Sequence, residues 1–80
     1  MTMERKSKLL ENMVEYLTNY SILFKKIGVS EGTDIDEAYH NCLGYIVELV
    51  GSDGDKHFYE NILGFTKEEL IGEGMEWVYE

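Results

Sequence analysis

The chain has 80 residues, a formal net charge of −9, 44% apolar residues, six Tyr, three Phe, one Trp, one Cys and no Pro. That is one domain's worth of sequence, too hydrophobic for disorder, without the run of about 20 apolar residues that a membrane span requires. The acidity disfavours direct binding to nucleic acid or anionic membranes, and a single Cys cannot form an internal disulfide, so Cys42 is expected as a small core residue.

The first expected element is a long amphipathic helix from near Met3 to Ile27, stopped at Gly28. Leu10, Met13, Leu17, Tyr20, Phe24 and Ile27 recur at spacings of 3 and 4, and Leu9, Tyr16 and Leu23 form a parallel row beside them. Lys25 and Lys26 stand in its last turn, where cations favour the helix dipole. Such a helix is roughly 33 to 37 Å long, more than an ordinary domain of this size needs, and its stripe is wide enough for more than one partner. From this we expect a homodimer whose interface is Leu10, Met13, Leu17, Tyr20 and Phe24.

After the loop Val29-Ser-Glu-Gly-Thr, Thr33 or Asp34 caps a second helix that ends at Gly51. Asp34 and Glu37 stand at capping-box spacing. Its expected buried face is Ile35, Ala38, Tyr39, Cys42, Leu43, Ile46, Leu49 and Val50, packed antiparallel on the first helix, with Gly44 on the solvent side. A turn at Gly51-Ser-Asp-Gly leads to a third helix, from about Asp55 to Leu63, carrying Phe58, Tyr59, Ile62 and Leu63 on one side. Thr66 and Glu69 then form a capping box, and Phe65 and Leu70 a hydrophobic staple, at the start of a short helix from Lys67 to about Ile71. In the tail, Met75, Trp77 and Tyr79 alternate with Glu76, Val78 and Glu80, a pattern of extended chain, and Trp77 is expected to fold back onto the bundle.

Residues 60–72, Glu-Asn-Ile-Leu-Gly-Phe-Thr-Lys-Glu-Glu-Leu-Ile-Gly, resemble the helical segment of PAS sensor domains, where a Leu-Gly-Tyr-Thr-x-Glu-Glu-Leu-x-Gly string is common. That family implies strands on both sides of the string, whereas the residues before it read as helix and eight follow it. The same string is similar to the turn of helix-turn-helix DNA readers, whose second helix enters the major groove. Here that helix carries Glu68, Glu69 and Glu73 against Lys67, which repels phosphate. The string is therefore taken as a structural corner.

Chemistry-bearing patterns are few. Glu37-Ala-Tyr-His40 has the Glu-x-x-His spacing of carboxylate-bridged di-metal bundles, with Glu11 and Glu15 available on the first helix, but at 100° per residue neither Glu37 nor His40 faces the core. His57 lies beside Asp53 and Asp55, a surface ion pair at most. Neither a phosphate-cradling glycine loop nor zinc-spaced cysteines occur, so no enzyme, metal or cofactor is expected. The charge is lopsided: residues 1–27 carry five Lys or Arg and three Glu, a balance of +2, while residues 28–80 carry two Lys and thirteen acids, a balance of −11.

The sequence thus predicts an all-α domain over residues 1–80, a small antiparallel bundle of three to four helices with a long N-terminal helix and a short extended tail. It is expected in the cytoplasm, as its charged start leads into periodic helix and not into a secretory apolar block. Two roles compete. One is an acidic inhibitor or immunity-type protein, of the kind phages and mobile elements encode, using Glu60, Glu68, Glu69, Glu73 and Glu76 against a basic protein surface such as a nuclease groove. The other is a self-associating adaptor in which the acids only keep the surface solvated.

Overall fold

The computed structural model describes residues 1–20, 32–50 and 56–80, and among them every regular element is helical. The first, α1 (Met3–Asn19), starts where Thr2, in extended conformation, accepts the Arg5 N–H on its side-chain oxygen at 3.1 Å. It ends at Tyr20, whose N–H turns back to the Leu17 carbonyl at 3.1 Å. Seventeen residues rise about 25 Å, so this helix is shorter than the span expected to Gly28. The expected course of residues 21–28, Phe24 of the dimer seam, the Gly51–Gly54 turn, and Asp53 and Asp55 beside His57 all lie outside the described residues.

The second, α2 (Ile35–Val50), is capped by Asp34, whose carboxylate accepts the Glu37 N–H at 2.8 Å. Ala38, Tyr39, Cys42, Leu43 and Ile46 are buried along it, against the Leu9, Met13 and Leu17 ridge of α1. The ends of the expected face are not covered: Leu49 is 51% exposed and Ile35 is also exposed. Gly44 faces solvent, as its phase requires.

One detail of the expected bundle is corrected. Lys6, in the first turns of α1, reaches Asp36 in the first turn of α2 at 2.5 Å and lies over the Tyr39 ring at 5.5 Å. The two helices therefore begin side by side. Antiparallel packing through a short loop would set Asp36 near the end of α1 instead.

Beyond Lys56 and His57 the chain forms a π-helical turn, Phe58–Ile62, not the expected α-helix; the Leu63 N–H bonds the Phe58 carbonyl, five residues back, at 3.1 Å. The wider turn keeps Tyr59 and Leu63 in the core and turns Ile62 outward, 53% exposed. Gly64 follows at φ +88°, in the left-handed region, letting the Phe65 N–H close on the Tyr59 carbonyl at 2.9 Å. A Cβ at this position would stand 3.0 Å from the Asn12 amide nitrogen.

The corner at Thr66 is built as the sequence indicated. Thr66 accepts the Glu69 N–H at 3.2 Å, Glu69 accepts the Thr66 N–H at 2.8 Å, and the short helix α3 (Lys67–Gly72) follows, with Phe65 and Leu70 both buried. Gly74, at φ +78°, closes α3 with the Met75 N–H bonded to the Leu70 carbonyl at 2.9 Å. The tail is a 3₁₀ turn, Glu76–Tyr79, and not an extended segment. Met75 and Val78, three apart, enter the core, while Trp77 lies edge-on to Tyr59 at 6.0 Å. The alternation in sequence misled because a single helical turn also sets every third residue inward.

Candidate interaction surface

Two polar residues of α1 position the later part of the chain. Asn12 donates its amide to the Leu63 carbonyl at 2.9 Å. Seven residues earlier, Arg5 grips Glu69 with both arms, Nε to Oε2 and Nη2 to Oε1 at 2.9 Å each, and Nη2 also donates to the Gly64 carbonyl. A bidentate guanidinium–carboxylate pair of this kind fixes direction as well as distance. The Glu69 carboxyl is held below its ordinary pKa, first by Arg5 and then, against a burial effect of opposite sign, by the Thr66 N–H.

The same contacts leave a cleft of about 390 Å³ between the start of α1 and α3, lined by Met1, Lys6, Glu68, Glu69, Gly72 and Glu73. Three carboxylates thus share the cleft with the Lys6 side chain and with Met1. Lys6 is engaged with Asp36, and Glu69 with Arg5, so neither contributes much unbalanced charge. Glu68 has no compensating cation among the described residues. Glu73 has only His40, whose Nδ1 is 3.9 Å from its carboxylate and which is a cation only when protonated. Tyr39, whose ring lies under the Lys6 ammonium group, is fully buried. Burial, and after it the Glu73 and Glu69 carboxylates, push this phenol well above its ordinary pKa.

Of the five acids singled out in the sequence, the structure brings Glu68, Glu69 and Glu73 to one place. Glu69 is committed to the fold through Arg5 and Thr66. Glu60 accepts the Tyr79 hydroxyl, fastening the tail to the π turn, and Lys67 lies over the Tyr79 ring at 5.2 Å. Glu76 is exposed on the 3₁₀ turn, outside the cleft.

The expected dimer seam is divided. Met13 and Leu17 are fully buried within one chain and offer no surface to a second copy, Leu10 is half-buried, and Tyr20 is 65% exposed. Leu9, assigned to the neighbouring row, is the third fully buried residue of α1. Tyr20 meets Tyr16 at a tilt of 49° with ring centroids 4.9 Å apart, and Tyr16 meets Phe58 at 5.1 Å, an aromatic row that continues toward Ile62 across a small hollow.

Glu37 and His40 are both exposed, and among the described residues no three His, Cys, Asp or Glu converge to hold a metal ion. Cys42 is buried, which raises its thiol pKa. No helix among the described residues is long and apolar enough to cross a membrane. Comparison with protein-family models, with curated proteins and with solved structures returned no match.

Proposed function

We propose that this is a non-catalytic cytoplasmic interaction protein that binds a basic surface of a partner protein through the face formed by the start of α1 and α3. An inhibitor or immunity-type role, encoded by a phage or mobile element and directed at a nuclease groove or a similar cationic site, fits this face best. The observation that carries the proposal is the cleft in which Glu68 and Glu73 stand without a fixed counter-cation while Glu69 is spent on the fold. Neighbouring carboxylates within a screening length of about 8 Å add their potentials and steer a cationic protein toward them. The test is partner capture from the native host, followed by affinity measured against salt. Binding should weaken steeply with salt and on reversing Glu68 and Glu73 together to Lys, with the thermal melt nearly unchanged. Affinity indifferent to both would reject the proposal.

A second role, a self-associating adaptor, is favoured by the exposure of Tyr20 and Ile62 at either end of the aromatic row. With Met13 and Leu17 consumed by the core, a homodimer would use Tyr16, Tyr20 and Ile62. Sedimentation of wild type and Tyr20→Glu at high micromolar concentration decides it: a dimer lost in the variant supports the adaptor, a monomer in both removes it.

A further inference from the structure

We draw no further inference here: the strongest candidate, the aromatic row of Tyr20, Tyr16 and Phe58 that leads from the end of α1 to the exposed Ile62 of the π turn, is an apolar face whose use by a second copy is already proposed above, and nothing in the structure shows what covers it.

Discussion

Glu69 is the side chain whose loss the structure prices most clearly. It closes the capping box on Thr66 and receives both arms of Arg5, while Arg5 itself is about one-third exposed. A partly exposed ion pair contributes about 1 kcal/mol at most, and bidentate geometry places this one at that upper end. The cap contributes about another 1 kcal/mol. Glu69→Gln keeps an acceptor for the Thr66 N–H and should cost about 1 kcal/mol; Glu69→Ala loses both roles and should cost about 2 kcal/mol. For a domain of this size these become Tm decreases of about 4–8 °C and 8–16 °C. A double-mutant cycle with Arg5→Met, by urea denaturation, should return a coupling near 1 kcal/mol. Acid should imitate the substitution. Because the folded-state pKa of Glu69 lies below its ordinary value of 4.5, the unfolded chain binds the proton first, and stability present above pH 4.5 is lost as pH falls through the folded pKa. Glu69→Gln should flatten that acid limb. A Tm decrease under about 2 °C for Glu69→Ala, or a coupling below about 0.3 kcal/mol, would refute the assignment of Arg5 and Glu69 as the clasp between α1 and α3.

Gly64→Ala should cost more than Gly74→Ala in urea denaturation: both have positive φ, a strain of about 1–2 kcal/mol, but only the Cβ at 64 meets another atom, the Asn12 amide, so the difference between the two measures that contact. Gly44→Ala should stabilise by about 0.5–1 kcal/mol, since an added Cβ meets nothing within 4 Å on an exposed helical site; a lower Tm would contradict that placement. Tyr59→Phe removes a buried hydroxyl that has no hydrogen-bond partner and should raise the urea midpoint or leave it unchanged, whereas a loss above about 1 kcal/mol would reveal a bond to that oxygen.

What could be read from the sequence was local in origin. The Asp34 cap, the Thr66–Glu69 box and the solvent side of Gly44 are decided within one or two turns of chain, and each stands where spacing put it. Phase along α2 also gave its central core residues, but not the uncovered Leu49, because burial at a helix end depends on what lies across from it. The π turn was hidden: its hydrogen-bond step of five is set by packing of Tyr59 and Leu63, and the same residues fit an α-helix in sequence. Arg5 and Asn12 were missed as clamps although their spacing of seven puts them on one face. Their targets, the Leu63 and Gly64 carbonyls, are backbone atoms that no side-chain pattern displays. The acids of α3 were legible as a group, and only the structure separates Glu69, bound into the fold, from Glu68 and Glu73.

The clasp spans 64 positions of chain, which has a consequence for synthesis. At translation rates of about 5–20 residues per second, Arg5 is made roughly 3–13 s before Glu69. For most of that interval the core around Leu9, Met13 and Leu17 lacks Tyr59, which follows α2 in the chain, and throughout it lacks Leu70 and Val78. The clasp therefore closes only once residue 69 has been made, and a product ending before residue 59 has α2 to set against the α1 ridge but lacks Tyr59, Leu63 and Leu70 of the same core.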